Sequence, residues 1–403
     1  MLAAYRACLN EPHVKYLFAS NLLGRMPNGM APLGIALFLR SHEVGFGRVG
    51  AITALFGLST AVGGPMLGRA VDRWGQLWVL CVSAIASSLG FLLLVGRGEQ
   101  GFGTAAAAVV VAGVFSPPLE PCLRTIWPAV LRDPGAISTA YALDASLQEV
   151  VFVTGPLLVV LIGSIAGSGP ALVVTAVAML LGSAAYVIPR PVRVWRAGPR
   201  QSDWAGALRS HVLRRLLVVL AGLGIGLGAL NIVTVAYQEH IGRPGFSGVL
   251  LGANAVGALV GGLYYGARQW RTTGLRQLQY LLAGMTLSYL TLVAVPQPVL
   301  AVVLVFCAGL FLSPALACSF AVIGESALAG TATEAFAWMV TAVLAGNALG
   351  AAVTGSVEQH LGLHASFLVP GLAGAVAVTV TAAFLRTARQ PAPPAVRAGG
   401  TKS

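Results

Sequence analysis

Apolar residues in this chain come in long runs, and polar ones gather in the short gaps between them. Twelve runs can be drawn: 14–39, 49–68, 77–95, 104–130, 137–163, 171–188, then 216–237, 249–266, 278–295, 299–323, 333–357 and 367–385. An α-helix rises ~1.5 Å per residue, so about 20 apolar residues cross the ~30 Å hydrocarbon core of a bilayer. Inside lipid every backbone amide and carbonyl needs a partner, and a helix supplies both from its own chain. Period-two alternation, the mark of a membrane barrel, is absent. The pattern predicts an all-α membrane protein with twelve transmembrane helices in two halves, 1–188 and 216–385. Residues 189–215 read as a polar connection, and 386–403, with Pro391, Pro393 and Pro394, as a disordered tail.

Composition supports lipid as the solvent. The 403 residues are 57% hydrophobic and 9% charged, with a mean hydropathy of +0.81, too apolar for a chain folded in water. A net charge of +12 invites a nucleic-acid reading, but the basic residues follow the loops. With both termini on one side, that side collects twenty Lys and Arg, among them Arg6, Lys15, Arg69, Arg73, Arg124, Arg132 and the seven arginines from Arg190 to Arg215. The other side holds four: Arg40, Arg48, Arg97 and Arg243. Basic residues near helix ends are retained in the cytoplasm, so both termini, 189–215 and the tail are expected there. The charge is then explained by orientation, and no nucleic-acid partner is expected.

The first run contains Asn21, Arg25 and Pro27 and has full spanning length, so it reads as an uncleaved first helix. Cys8, Cys81, Cys122, Cys307 and Cys318 are scattered without CxxC spacing; the last four lie inside apolar runs and are expected to be small buried hydrophobes, while Cys8 is expected on the cytoplasmic side, within reach of membrane-impermeant thiol reagents. His13, His42, His211, His240, His360 and His364 fall in gaps or at run ends. They make no metal constellation and no nucleophile has a base beside it, so neither a cofactor nor an enzyme activity is expected. Arginine outnumbers lysine by 23 to 2, and Ala, Gly and Val dominate the runs. That usage points to a GC-rich bacterial genome, hence to a bacterial cytoplasmic membrane.

Two segments about 200 residues apart resemble each other. Gly63, Gly64, Gly68, Asp72, Arg73, Trp74 and Gly75 close the second run, and Gly261, Gly262, Gly266, Arg268, Trp270 and Arg271 close the eighth. The first copy, with Gly64, Gly68, Asp72, Arg73 and Gly75, resembles the loop signature of the major facilitator superfamily, membrane transporters built from two six-helix halves. The resemblance implies two pseudo-symmetric six-helix bundles with nested repeats. A small-molecule site would lie between them, working by alternating access, in a monomer. It also implies that the glycines let helix 2 pack on helix 11, and that Asp72 caps helix 11 and pairs with arginine, latching the cytoplasmic side. The alternative is that Asp72 only solvates a short turn. Gln76 and Leu77 replace the family's basic pair, which would weaken the latch, and the second copy has no acid in the corresponding place. Gly155-Pro156, in the fifth run, is similar to the end of a signature carried by drug/proton antiporters of the same superfamily. It also fits a packing kink.

Charges at bilayer depth narrow the chemistry, because each costs about 2.5–3.5 kcal/mol to insert and so faces a partner or a watery cavity. Arg25 lies ten residues beyond Lys15 and Glu120 twelve residues before Arg132, depths of ~15 and ~18 Å. In the family fold helices 1 and 4 both line the cavity, so the two can meet. Pro117, Pro118 and Pro121 would bend or break helix 4 beside Glu120. Arg124 follows one turn on, and Asp144 and Gln148 share a face of helix 5, with Glu149 turned from them. Arg25 and Arg124 against Glu120, Asp144 and Glu149 leave one acid over if all face inward. That acid is a natural proton carrier, unless the set is a permanent ion network holding helices 1, 4 and 5.

The second half is electrically quieter. Asn231, Asn254 and Asn347 offer hydrogen bonds, Tyr237, Phe311 and Trp338 offer aromatic surface, and Glu334 is expected to be solvated near an inner helix end. With Asn21 and Gln148 from the first half, Asn231, Phe311, Trp338 and Asn347 are the candidate cavity residues. Coupling is therefore expected in the first half and apolar recognition across both. The expected function is proton-coupled efflux of a small apolar or amphipathic compound, such as a drug or secondary metabolite. Na⁺ in place of protons stays open. The alternatives are a sugar or organic-metabolite facilitator, with a more polar cavity, and a non-transporting scaffold or sensor.

Overall fold

The computed structural model describes residues 2–98, 101–199, 205–268, 270, 272–295 and 297–388, and among these every regular element is helical. A short helix, α1 (Leu2–Asn10), precedes the spans. The first half then runs α2 (Val14–Ser41), α3 (Phe46–Trp74), α4 (Gln76–Arg97), α5 (Phe102–Val114), α6 (Leu119–Val130), α7 (Pro134–Ala166) and α8 (Ser168–Tyr186). The small α9 (Arg190–Val194) and a 3-10 turn (Gly206–Arg209) occupy the connection. The second half follows as α10 (His211–His240), α11 (Phe246–Gly266), α12 (Gly274–Thr291), α13 (Pro298–Ser326), α14 (Ala332–Leu361), α15 (Leu363–Ser366) and α16 (Leu368–Ala388).

Among the described residues, ten helical stretches are long and apolar enough to cross a membrane. The runs at α2 and α12 are more polar, carrying Lys15, Arg25 and Arg40 in one and Arg276, Gln277 and Gln279 in the other. Both pack among the ten, α2 against α7 and α8, and α12 against α13 and α16. The fourth run is broken where Pro117 and Pro118 stand. Phe115 and Ser116 close α5 by bonding back to Val111 and Gly113, and α6 restarts at Leu119. Pro121 falls in the first turn of α6, where a missing N–H leaves no helical bond unmade.

Most helices overrun the expected ends by a few residues, and two of the overruns enter the expected connection and tail. The helix of the seventh run begins at His211, because Ser210 caps it by accepting the N–H of Leu213, and α16 continues through Ala388. The expected disorder of 389–403 falls outside the described residues.

The 200-residue repeat is visible in the packing. A Cβ at Gly63 would run into the Val114 carbonyl of α5, and one at Gly261 into the Leu310 carbonyl of α13, so these glycines seat each helix within its own half. Gly68 faces the opposite half, where an added Cβ would stand 3.0 Å from the Thr333 oxygen and the Glu334 Cα of α14. Gly266 faces the other way across, 2.5 Å by the same measure from the Ala142 Cβ of α7. The α3–α14 and α11–α7 crossings therefore join the halves at corresponding places. The Gly-Pro of the fifth run serves packing: Gly155 lies against the Gly29 backbone of α2, and α7 passes through Pro156 unbroken.

Candidate functional site

Three helices each present polar side chains one turn apart, the spacing that puts them on one face. From α2 come Asn21, Arg25 and Asn28, from α6 Glu120 and Arg124, and from α7 Asp144 and Gln148. Relative exposures of 2% for Arg25 and Arg124, 6% for Glu120 and 0% for Asp144 place all four charges away from bulk water. The helix break aims α6 at α2: Asn21 donates Nδ2 to the Leu119 carbonyl at 2.7 Å. Glu120 then sits in the first turn of α6, where a helix dipole favours negative charge.

Asp144 is the hub. Its Oδ1 receives Arg25 Nη1 at 2.5 Å and its Oδ2 receives Arg124 Nε at 2.7 Å. Glu120 closes the ring, with Oε2 3.3 Å from Arg124 Nη2 and Oε1 3.4 Å from Arg25 Nε. The last contact is charge proximity without hydrogen-bond alignment, since Arg25 Nε finds no aligned acceptor. Gln148 accepts from Arg25 Nη2 and donates to Glu120 Oε1 at 3.2 Å, and Asn28 adds a donor to the same oxygen at 3.3 Å. The meeting of Arg25 and Glu120 expected from depth is present, but the shortest bonds run through Asp144. Two cations and two carboxylates balance. Removing one partner from such a buried set typically costs about 3–5 kcal/mol, because a bare charge is left.

Glu149 stands outside this set. It follows Ala142, Ala145 and Ser146 by seven, four and three residues, and those three face the second half: Gly266 abuts Ala142, Gly262 abuts Ser146, and Ser313 Oγ donates to the Ala145 carbonyl at 3.5 Å. Helical spacing puts Glu149 on that same face. It makes no hydrogen bond or ion pair with any described residue. The cluster thus holds two acids, and Glu149, expected to be turned from Asp144 and Gln148, lies on the helix face toward the second half.

The loop signature joins the two halves, with its contacts arranged otherwise than expected. Asp72 accepts the backbone N–H of Thr333 at 3.0 Å and of Glu334 at 2.9 Å, capping α14 from the other half. Its expected arginine pairs elsewhere: Arg69 grips Glu334 with Nε at 3.1 Å and Nη2 at 2.6 Å. Glu334 is thus buried and paired, not solvated. Arg73 points outward, its guanidinium 5.6 Å from the Trp74 ring. Gln76, where the family has a basic residue, is buried and donates to the Cys122 carbonyl and Thr125 Oγ1 while Tyr186 donates to it, tying α4 to α6 and α8. Gly75 adopts a φ of +87°, closed to most side chains, at the turn between α3 and α4. Higher up the same seam, Thr341 Oγ1 donates to the Ala61 carbonyl at 2.9 Å.

The cavity candidates of the second half do not assemble. Phe311 packs over Gly284 of α12 inside its own half, and Asn231 is exposed on α10. The Asn347 backbone meets Gly228 and Gly224 at the α10–α14 crossing. Trp338 borders a cleft of about 170 Å³ with Pro65, Met66, Arg69 and Glu334. Asn254 bonds the Val305 carbonyl, and Tyr237 packs on Phe246 and Phe367. Asn28 and the Arg69–Glu334 pair were missed by sequence reading. The seven-residue step from Asn21 to Asn28 was the available signal for the first, and nothing local signals a pair 265 residues apart.

Cys8, expected in the open cytoplasm, is fully buried, its Sγ donating to the Ala136 carbonyl at 3.7 Å. All five cysteines are free. Burial of Arg124 removes it from the loop tally, which becomes nineteen against four.

The sequence profile of the Major Facilitator Superfamily matches residues 17–333. No curated protein sequence matches the chain. Among solved structures, the human organic anion transporter MFSD10 (TETRAN) is similar, with 14% identity, 91% of this chain and 98% of that one covered and a TM-score of 0.70. A bacterial homologue of the iron transporter ferroportin in its outward-facing state gives 14% identity, 92% and 99% coverage and 0.71. The E. coli fucose:proton symporter FucP gives 13%, 94% and 98%, and 0.71. At such identities these likenesses speak to the fold alone.

Proposed function

The chain belongs to the Major Facilitator Superfamily, and from that premise we propose that it is a proton-coupled exporter of a small apolar or amphipathic compound. In this reading 1–188 and 216–385 are the moving bodies of a monomer, and 189–215 is a cytoplasmic connection. Both termini lie in the cytoplasm of a bacterium, which the nineteen-to-four bias supports. Asp72, Arg69 and Glu334 are the inner latch.

The observation that carries the proposal is the charge balance. In the closed network of Arg25, Glu120, Arg124 and Asp144 each acid is already matched by a cation. A proton can enter it only by breaking an ion pair. Glu149 has no cation among the described residues to strand and lies on the face where the halves meet, so it carries the proton, and the network rearranges in response. The few polar side chains on the facing second half favour an apolar cargo.

Vesicles loaded with a pH-sensitive dye test this against a panel of lipophilic amines, neutral lipophiles and sugars. A lipophile-driven proton flux is expected from the parent protein. Glu149→Gln should lose gradient-driven uptake by at least about tenfold, the penalty scale of a lost acid–base group, while still exchanging labelled for unlabelled compound. Full gradient-driven flux in Glu149→Gln removes the assignment. A response to sugars alone indicates symport, and a response to a sodium gradient at fixed pH names the other ion.

A further inference from the structure

We infer that Phe320 of α13 is the positioning residue through which the ion network of the first half holds the second half closed. The inference rests on the proton-coupled reading above. Arg124 is the network member turned toward the second half. Its Nε and Nη2 are taken by Asp144 and Glu120, while its Cζ lies 3.7 Å from the centroid of the buried Phe320 ring. Tyr141 of α7 braces the contact: its hydroxyl donates to the Arg124 carbonyl at 3.3 Å, and its ring lies 6.3 Å from Phe320 and 6.2 Å from Phe336 of α14.

A guanidinium binds carboxylates with its edge and aromatic rings with its face, two directions at right angles. Asp144 and Glu120 fix the edge and hence the plane, and the plane presents the face to Phe320. When a carboxylate lets go, the plane is free to turn and the hold on α13 is lost. The inner end of α13 leads directly to Thr333 and Glu334, the residues that Asp72 caps. Phe320 thus ties the buried network to the latch. The charged and titratable groups around Arg124 are Glu120 on its own helix, Asp144 and Tyr141 on α7 and Arg25 on α2. From the second half α13 brings Phe320, with Glu325 exposed farther toward the inner end, and α14 brings Phe336.

The test uses the full chain in lipid nanodiscs, with spin labels on Arg132→Cys and Arg268→Cys, exposed at inner ends of opposite halves, and with Cys81→Ser and Cys307→Ser. Inter-label distances are read across an acid-to-neutral pH series. Phe320→Leu keeps an apolar side chain but no π face, and should raise the open-to-closed ratio about tenfold. Phe320→Tyr and Phe320→Trp keep the face and should stay within about twofold of the parent. With Arg124→Gln already present, which removes the cation, Phe320→Leu should add nothing. Equal ratios for the Leu, Tyr and Trp variants overturn the inference. The pH series separates it from the wider reading: a shift specific to Leu in a protein indifferent to pH keeps the role of Phe320 and sinks proton coupling. A pH-dependent ratio that is the same for Leu and Trp does the reverse.

Discussion

The two crossings that join the halves, α3 with α14 and α11 with α7, descend from one repeat and are held by different means. Where they meet the partner helix, each approaches through a glycine, Gly68 in one and Gly266 in the other. The difference lies at the partner's N-terminus, where unpaired backbone N–H groups need acceptors. α7 caps itself: Asp133 accepts the N–H of Ala136 at 2.9 Å, with Pro134 at the first helical position. At α14 the cap residue Thr331 makes no capping bond, its hydroxyl donating instead to the Leu328 carbonyl at 2.9 Å, and Asp72 supplies the acceptor from the opposite half. A self-capped helix keeps its cap however the halves sit. A helix capped from across the gap loses it when they part, so the acid matters in one copy and is dispensable in the other.

The largest expected effect follows from that difference. Asp72→Ala leaves two buried N–H groups without the carboxylate they donate to, and a hydrogen bond to a charged group is worth about 1.5–3 kcal/mol. The closed arrangement should weaken by about 2–4 kcal/mol, enough to shift the open-to-closed ratio by a factor of about 30 or more. Hydrogen exchange of the first amides of α14 reads it directly. Unchanged protection in Asp72→Ala would dissolve the distinction between the crossings.

Some of this arrangement is legible in the chain and some is not, for physical reasons. Hydropathy marks the spans because lipid demands it, and the prolines at 117 and 118 announce the break because their chemistry is local. Depth along a helix brings Arg25 and Glu120 to one level, since rise per residue is constant. Depth says nothing of azimuth between helices, so Asp144 was read as one acid among three when it bonds both arginines. Arg69 with Glu334 depends on a contact between chain segments 265 residues apart, and Phe311 turned inward to Gly284 because the partner glycine made room there. Helix α1 is nine residues long, too short for a spanning run, and with it the burial of Cys8 went unseen.

A smaller effect sharpens the comparison from the other crossing. Asp133→Ala removes an N-cap worth about 1 kcal/mol, and because that cap exists in every arrangement of the halves, the cost falls on folding. Thermal stability in detergent should drop modestly while the inter-label distances stay those of the parent. A shift of the open-to-closed ratio comparable to that of Asp72→Ala would mean that both helix ends respond to opening.

The smallest effect concerns what the α11–α7 crossing has in place of an acid. Tyr5 of α1, a helix that packs on α7, donates its hydroxyl to the Leu263 carbonyl of α11 at 2.8 Å, with the Gly262 carbonyl 3.4 Å away. Burial, helped by nearby Cys8, pushes that hydroxyl up to about 12, so it remains a donor at any physiological pH. The bond spans the two halves, yet it is neutral and partly exposed, which puts it near the lower end of the ~0.5–1.5 kcal/mol range. Tyr5→Phe should therefore raise the open fraction only about twofold to fivefold. Cys8 supplies a built-in reporter, because burial and then Glu11 push its thiol up to about 11 and no surface is exposed to a reagent. If Tyr5 holds α1 in place, labelling of Cys8 by a membrane-impermeant thiol reagent, followed by peptide mass spectrometry, should accelerate in Tyr5→Phe and not in Asp133→Ala. Equal labelling rates in the parent and in Tyr5→Phe would leave glycine packing and the buried bond from the Thr139 hydroxyl to the Gly266 carbonyl, 2.8 Å, as what holds the second crossing.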